Sequence, residues 1–279
     1  IIGAITIGFA PVLVRLSRVG SISTVFWRVA IAFPILTLLS MRRGSTLPND
    51  EEIPAFKDYL WVLFSGILFG GDLATWHLSI HFTSIANSTL LANVSPVIIA
   101  LWGWLVLGKT PKKKLIIGLL LAIFGIAILI HPSLHMNQNT RIGDSLALIT
   151  AFFYAGYLLV LNRARRKFTT FSSMALSTFA SMLTLLLITL ISGEAFIPTT
   201  ETAWLVLIAL ALFAHILGQG LIAYALPYLS VTFSSTALLI QPMVAAMAGW
   251  FFFSEHLGAI QIIGIFIALI GIFLAKQTI

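Results

Sequence analysis

Apolar residues occur along this chain in ten long runs, which are separated by short stretches of charged and turn-forming residues. A helix needs roughly 20 mainly apolar residues to cross the hydrocarbon core of a bilayer. The runs cover approximately residues 1–17, 22–41, 59–80, 84–107, 115–131, 143–163, 172–191, 203–226, 230–253 and 259–275. The pattern therefore predicts an all-α fold, a polytopic membrane bundle of ten transmembrane helices.

The composition supports a membrane protein and excludes several other classes. Hydrophobic residues make up 59% of the 279 residues and charged residues only 9%, a surplus that a soluble domain cannot bury. The longest polar stretch, RRGSTLPNDEEIPAFKD at 42–58, is too short to form a separate domain. There is no cysteine, which excludes disulfides and thiolate metal sites. Because the chain begins at Ile1, we also expect a short segment to precede it.

The basic residues are distributed unevenly between the two sets of alternating loops. One set has twelve, and the other has only Arg18 and Arg141, with Arg15 at its edge. The twelve are Arg42, Arg43, Lys57, Lys109, Lys112, Lys113, Lys114, Arg163, Arg165, Arg166, Lys167 and Lys276. Because cytoplasmic loops are enriched in Lys and Arg, we expect both termini to be cytoplasmic. Basic residues confined to such loops make a nucleic-acid partner a poor interpretation.

The chain repeats itself with a shift of 146 residues and no gap over residues 83–126. The matching pairs are Pro96 and Pro242, Gly103 and Gly249, Trp104 and Trp250, Ala122 and Ala268, and Gly125 and Gly271. Residues 1–131 and 142–276 are therefore predicted to be two five-helix repeats. Since five is odd, the second repeat must be inverted relative to the first. Inverted repeats are typical of secondary transporters, which bind substrate near the midplane between the halves.

The stretches TSIANSTLLANVSPVIIALWGWLVLGKTP and SVTFSSTALLIQPMVAAMAGWFFFSEHLG resemble the paired signature of the EamA family in the drug/metabolite transporter superfamily. FWRVAIAFP and GDSLALITAFFYAGYLLVLNRARRK extend the resemblance over nearly the whole chain. The first repeat departs from the family in having Lys109 where glutamate is usual, so Glu255 is the better match. The resemblance implies five plus five inverted helices around a central cavity. It also implies secondary transport of small metabolites, often export of amino acids or related compounds, across a bacterial inner membrane.

Asp72 is a carboxylate within an otherwise apolar run, GGDLATWHLSI. An ionised group near the bilayer centre costs roughly 2.5–3.5 kcal/mol, so it usually faces a cavity or a partner. Counting residues from the outer ends of their spans puts Asp72 about 12 Å deep and Arg28 about 9 Å deep. These depths permit an Arg28–Asp72 pair. In the functional interpretation, Asp72 binds a cationic substrate group or carries a coupling proton. In the structural interpretation, the Arg28–Asp72 pair only joins spans two and three.

Two neighbours of Asp72 are further candidates. Trp76 lies at i+4 and so shares the helix face of Asp72, where it can stack on a ligand. The alternative is a tryptophan that faces lipid or core. His77 is three residues from the outer end of its span, where an interfacial, hydrogen-bonded histidine competes with a proton relay.

The second half offers its own polar positions. His215 and Gln219, at i and i+4 near the middle of span eight, either line a cavity or only bond other helices. Tyr154 lies near mid-membrane by count.

Two prolines occupy equivalent positions in spans four and nine. Asn93 shortly precedes Pro96, and Gln241 directly precedes Pro242. Because proline kinks a helix and frees a carbonyl one turn back, these positions are candidates for a gating hinge and for a binding wall.

The leading hypothesis is a secondary transporter, an exporter, working by alternating access, with a small-molecule substrate, the lipid bilayer as its environment and protons as a candidate coupling ion. No GxxxxGK[ST] phosphate-binding motif is present, so ATP drive is disfavoured. No cofactor or metal is expected, and the oligomeric state is left open. The alternative is an intramembrane enzyme, such as a transferase using Asp72 and a histidine, which predicts catalytic groups near one membrane face.

Overall fold

The structure is a computed structural model. It describes residues 2–17, 19–42, 54–106, 108, 113–134, 138–165, 167–225, 228, 238, 240–255 and 257–276. Throughout these residues the chain is helical, with short turns and no strand, so the predicted all-α class is confirmed. Parts of two predictions lie outside the described residues. These are most of the first half of span nine and the basic residues Arg18, Arg43, Lys109, Lys112 and Arg166.

The described helices follow the predicted apolar runs. They are α1 Ile2–Gly8, α2 Ala10–Leu16, α3 Ser21–Arg42, α4 Phe56–Phe82, α5 Ile85–Ala92, α6 Ser95–Leu105, α7 Lys113–Leu134, α8 Gln138–Ala164, α9 Thr170–Ser192, α10 Glu201–Ala209, a π-helix Leu210–Gln219, α11 Gly220–Ala225, α12 Ile240–Phe253 and α13 Ala259–Lys276.

Six helical stretches of the described chain are long and apolar enough to cross a membrane by length and composition. They are Ser21–Met41, Phe56–Phe82, Ile85–Leu105, Gln138–Ala164, Thr170–Ser192 and Glu201–Ala225. Shorter apolar helices occupy Ile2–Leu16, Ile240–Phe253 and Ala259–Gly271. The chain is therefore an α-helical protein with at least six candidate membrane spans.

Three of the predicted spans are irregular. The first is interrupted at Phe9, between α1 and α2, and the fourth at residues 93 and 94, between α5 and α6. Pro96 lies in the first turn of α6, where its missing N–H costs no helical hydrogen bond. The eighth span contains a ten-residue π-helix. The kink predicted from Pro96 agrees with the break in the fourth span, whereas continuous α-helices were expected in the first and eighth spans, where the apolar periodicity gives no sign of an interruption.

Helices α7 and α13 cross in close contact through small residues. A Cβ atom added to Gly125 would lie 2.2 Å from the backbone nitrogen of Ala268, and one added to Gly271 would lie 2.2 Å from that of Ala122. Only residues without bulky side chains allow two backbones to approach this closely. Because residue numbers rise along α7 as they fall along α13, the two helices are antiparallel.

Two other helix pairs have the same antiparallel arrangement. In α5 and α12, Asn93 lies beside Gln241, and Ile85 lies beside Gly249. In α3 and α9, the ring of Phe33 is 5.5 Å from that of Phe179, while Glu194, just beyond α9, accepts hydrogen bonds at the start of α3. Helix α8 packs on α4 and α5, as α1 packs on the π-helix and α12. A central cavity lies between α1, α3, α4, α5, α8, the π-helix and α12.

Candidate functional site

The cavity has a volume of about 50 Å³. Since one water molecule needs roughly 10–15 Å³ of such space, it has room for only a few water-sized groups. Ile7 of α1, Asn93 at the break between α5 and α6, and Gln219 of the π-helix all line it. The three irregular spans therefore meet at the cavity.

Seven of the nine predicted binding or coupling residues line this cavity. They are Arg28, Asp72, Trp76, Asn93, Tyr154, Gln219 and Gln241. The other two, His77 and His215, lie outside its lining. Of the predicted hinge residues, Pro96 lies in the first turn of α6 and Pro242 in the first turn of α12.

Asp72 is buried, with 6% of its surface exposed. No described side chain donates a hydrogen bond to its carboxylate. Thr75 Oγ1 lies 3.2 Å from the backbone carbonyl of Asp72, at the long end of hydrogen-bonding distance. Trp76, one helical turn further on, lines the same cavity. The carboxylate is therefore free to contact whatever enters the cavity.

Arg28 is also buried, with 2% exposed. Its Nη1 lies 3.4 Å from Nε2 of His77, and its Nε has no partner among the described residues. The direct Arg28–Asp72 pair permitted by their depths is not formed, because no ion pair between described residues joins them. The two side chains instead line the same cavity without direct contact.

His77 is fully buried within the bundle and lies within hydrogen-bonding distance of Arg28, while its interfacial depth in the membrane stays a prediction. Helices α2 and α3 pack over this end of α4 and shield the ring from water. A guanidinium only donates hydrogen bonds, so Nε2 of His77 is the acceptor in this contact. The imidazole lies edge-on to Trp76, with centroids 5.6 Å apart. His77 therefore supports two cavity residues without lining the cavity.

Two side-chain amides meet where α5 and α12 cross. Asn93 Nδ2 donates to the Thr89 carbonyl at 2.8 Å and to Gln241 Oε1 at 3.3 Å. The carbonyl contact fixes which amide atom is nitrogen. Asn93 Oδ1 and Gln241 Nε2 then have no partner among the described residues. The pair leaves one acceptor and one donor unsatisfied beside the cavity.

An aromatic wall beside the cavity consists of Phe69 on α4 and of Tyr154 and Tyr157 on α8. Tyr154 stacks on Tyr157 at 5.8 Å, and Tyr157 stacks on Phe69 at 4.5 Å. Gln219 Nε2 donates to the Tyr157 hydroxyl at 3.1 Å. This bond connects the π-helix to the aromatic wall.

His215 does not share the position of Gln219. Its Nε2 lies 2.9 Å from Thr178 Oγ1 on α9, so it forms the interhelical bond that was the alternative to cavity lining. A π-helix closes i→i+5 rather than i→i+4 hydrogen bonds. Within this π-helix, Gln219 lines the cavity and His215 does not.

Two polar residues of the lining were not predicted, Thr89 and Thr150. Thr150 Oγ1 lies 2.7 Å from Thr75 Oγ1. Hydroxyls usually bond their own helix, so their positions in apolar runs carry no signal of a site. Buried Asp144 was also missed. It accepts hydrogen bonds from Thr83 at 2.6 Å and Asn87 at 3.4 Å and ties α8 to the turn between α4 and α5.

Comparison with known proteins agrees with the resemblance drawn from the two signature stretches. The sequence profile of the EamA-like transporter family matches residues 1–131 and 141–276. An "uncharacterized transporter" of Archaeoglobus fulgidus is 25% identical over 282 residues, covering 96% of this chain and 93% of its own length. The pseudopaline exporter CntI of Pseudomonas aeruginosa is 25% identical over 240 residues, covering 86% of this chain and 80% of its own.

A solved crystal structure has the same fold. It superposes with a TM-score of 0.68 at 14% identity, over 99% of this chain and 94% of that one. The named relatives are transporters and exporters, so the chain is an integral membrane transporter with a small-molecule substrate. It belongs to the EamA-like transporter family.

Proposed function

We propose that the protein is a secondary active exporter of small zwitterionic metabolites, such as amino acids or related compounds. It works by alternating access between two inverted five-helix repeats, residues 1–131 and 142–276. The observation that carries the proposal is the presence of two opposite charges, Arg28 and Asp72, on one small buried cavity without an ion pair between them.

The unsatisfied groups of the cavity match the two ends of a zwitterion. Arg28 Nε and Gln241 Nε2 are donors, suited to a carboxylate. Asp72 and Asn93 Oδ1 are acceptors, suited to an ammonium group. Substrate binding would satisfy polar groups whose burial without partners is otherwise costly.

The antiparallel helix pairs support the inverted repeat. Helices α7 and α13 begin at Lys113 and Ala259, which are 146 residues apart, the same shift as in the sequence repeat. The close contacts Gly125–Ala268 and Gly271–Ala122 exchange with each other under that shift. Equivalent helices that run in opposite directions are what inversion requires. On this basis, the chain is proposed to cross the membrane ten times.

Substrate passage requires the helices to move, since the cavity of about 50 Å³ holds only a few water-sized groups. The breaks beside Pro96 and within the first span, and the π-helix, are places where a helix can bend at low cost. Discontinuous helices around a midplane site are a common feature of secondary transporters. Pro96 and Pro242 are accordingly proposed as hinges.

The direction and energy source of transport are proposed from a relative and from Asp72. The exporter of Pseudomonas aeruginosa favours export, and Asp72 is the candidate carrier of a coupling proton. The positive-inside rule puts both termini on the cytoplasmic side of the membrane, which is proposed to be a bacterial inner membrane.

The proposal is tested by reconstituting the purified protein in proteoliposomes and measuring the uptake of a metabolite panel with and without an imposed pH gradient. We expect zwitterionic amino acids or close relatives to move, and a proton gradient to accelerate them. Movement of none of the panel, together with turnover of a lipid-linked compound, would instead favour the intramembrane enzyme.

A further inference from the structure

Arg15 joins several helix ends at one face of the bundle. It lies at the end of α2 and donates from Nε and Nη2 to the Ile80 carbonyl, at 3.2 and 3.0 Å. Nη2 also donates to the Thr83 carbonyl at 2.8 Å, just past the end of α4. Nη1 forms an ion pair with Glu255, which follows α12. One guanidinium therefore connects α2, α4 and the end of α12.

Glu255 extends this connection to α5. Its Oε2 accepts the backbone N–H of Ile85, the first residue of α5, at 3.0 Å. The carboxylate rests against Gly249, where an added Cβ would lie 2.8 Å from Oε2. The side chains of Arg15 and Glu255 are only 22% and 16% exposed, so water screens this ion pair less than a surface pair. Together the two residues hold four helix ends closed over the cavity.

The opposite face has an equivalent arginine. Arg165 follows α8, and its Nε donates to the Ala223 carbonyl of α11 at 3.2 Å, much as Arg15 contacts the end of α4. Its other nitrogens donate to the Phe168 carbonyl and, at 2.8 Å, to Thr170 Oγ1. Asp144, near the Arg15 face, and Arg165 lie at opposite ends of α8, about 30 Å apart at 1.5 Å per residue.

The chain after α6 and the chain after α12 each have one residue of positive φ, but the residues that follow differ in charge. Ser254 has φ +53° and Gly108, its equivalent at a shift of 146, has φ +63°. The residue that follows is Glu255 in the second repeat and Lys109 in the first. The first repeat thus has no acid at the position equivalent to Glu255.

The surroundings of the equivalent glycines agree with this difference. Gly249 is covered by the Glu255 carboxylate, whereas an added Cβ on Gly103 would meet no described atom within 4 Å. The ion-paired contact is therefore made at the Arg15 face, where Glu255 covers Gly249.

We propose that Arg15 and Glu255 form a latch that closes the cavity at the Arg15 face, and that the lack of an equivalent acid at the Arg165 face biases the resting transporter toward this closed state. Under the predicted topology the latch lies on the outer side, where an exporter must open to release substrate. The inference rests on the proposed alternating-access function. It adds a specific residue pair and a preferred resting state.

The chain has no native cysteine, so a single reporter can be introduced without removing any. Ala92→Cys puts a thiol on the cavity lining with the addition of one atom. The measured quantity is its rate of modification by a charged, membrane-impermeant thiosulfonate, applied from one side at a time to oriented vesicles. With the latch intact, we expect slow modification from the Arg15 side. Glu255→Gln should raise that rate about tenfold, which corresponds to 1.4 kcal/mol.

Two matched controls isolate the latch. Asp58→Asn makes the same change of charge in the Lys167–Asp58 ion pair, whose nitrogen and oxygen lie 3.2 Å apart near Arg165, and should leave the rate from the Arg15 side unchanged. Gly249→Ala, which pushes on the Glu255 carboxylate, should also raise the rate, while Gly103→Ala should not. If Glu255→Gln and Gly249→Ala leave the rate unchanged, or if the controls raise it equally, the latch does not exist.

This readout needs no substrate, so it separates the two proposals. Faster labelling of Glu255→Gln in a protein that transports nothing would support the latch and overturn the proposed function. Active transport combined with labelling that is insensitive to Glu255 would do the reverse.

Discussion

Asp72 is a buried carboxylate that receives no hydrogen bond from a described side chain. Such a group is expensive in a membrane protein unless it has a functional partner. Arg28 lines the same cavity without forming an ion pair with Asp72. We interpret this arrangement as a site in which substrate or a proton completes the set of partners.

The Asp72→Asn substitution tests this interpretation. It keeps the shape of the side chain but removes both the charge and the protonation site. We expect transport of a zwitterionic substrate to fall by at least about tenfold, which is 1.4 kcal/mol of lost binding or coupling, and acceleration by a pH gradient to disappear. The measurement is uptake into proteoliposomes at several values of pH.

Asp144→Asn is the matched control, because Asp144 is also buried but bonds Thr83 and Asn87 away from the cavity lining. Transport by the Asp144→Asn protein should still depend on the pH gradient. An Asp72→Asn protein that transports at the wild-type rate with unchanged pH dependence would show that Asp72 only holds helices together.

The sequence located the cavity residues well because polar groups in apolar runs avoid lipid. Asp72, Asn93 and Gln241 are recognisable on this basis alone. The histidines were harder, because interhelical bonding satisfies a buried ring as well as a cavity does. His215 bonds Thr178 and His77 bonds Arg28, and both partners depend on tertiary packing.

At the scale of helices, small residues set how closely elements approach. The crossing of α7 and α13 depends on Gly125 and Gly271, whose hypothetical Cβ atoms would each lie 2.2 Å from a backbone nitrogen of the other helix. A backbone atom cannot rotate away as a flexible side chain can, so the helices themselves would have to separate.

Gly125→Ala should therefore destabilise the protein by about 1–3 kcal/mol, the usual cost of overpacking. Gly156→Ala is the control, because its added Cβ would meet only the flexible end of Leu68 at 3.3 Å. Alanine is the better helix former by about 1 kcal/mol, so this control should be neutral or stabilising. Thermal unfolding in detergent measures both, and equal melting temperatures would show that the crossing is not tight.

The existence of the described helices follows from apolar run length, but their interruptions do not. Runs 1–17 and 203–226 read as continuous, yet the first breaks at Phe9 and the second contains the π-helix Leu210–Gln219. A residue close to each distortion lines the cavity, Ile7 near the first and Gln219 within the second. Only the break beside Pro96 was predictable from the sequence, because proline lacks the N–H that a helix interior requires.

At the scale of the whole molecule, the account combines an approximate twofold arrangement with a functional asymmetry. The arrangement rests on equivalent helices that pack antiparallel, such as α7 with α13. The asymmetry rests on Glu255 and Lys109 at equivalent positions. An exporter needs both features, since alternation requires two similar gates and a preferred resting state requires that they differ.

The central claim is that the two halves lie in the membrane in opposite senses around the cavity, and sided labelling tests it most directly. Lys113→Cys and Ala259→Cys introduce single thiols at the first residues of α7 and α13, positions that are exposed and equivalent by the 146-residue shift. In oriented vesicles we predict that an impermeant thiol reagent modifies the thiol at 113 only from the cytoplasmic side and the thiol at 259 only from the outer side. Modification of both thiols from the same side would contradict the account.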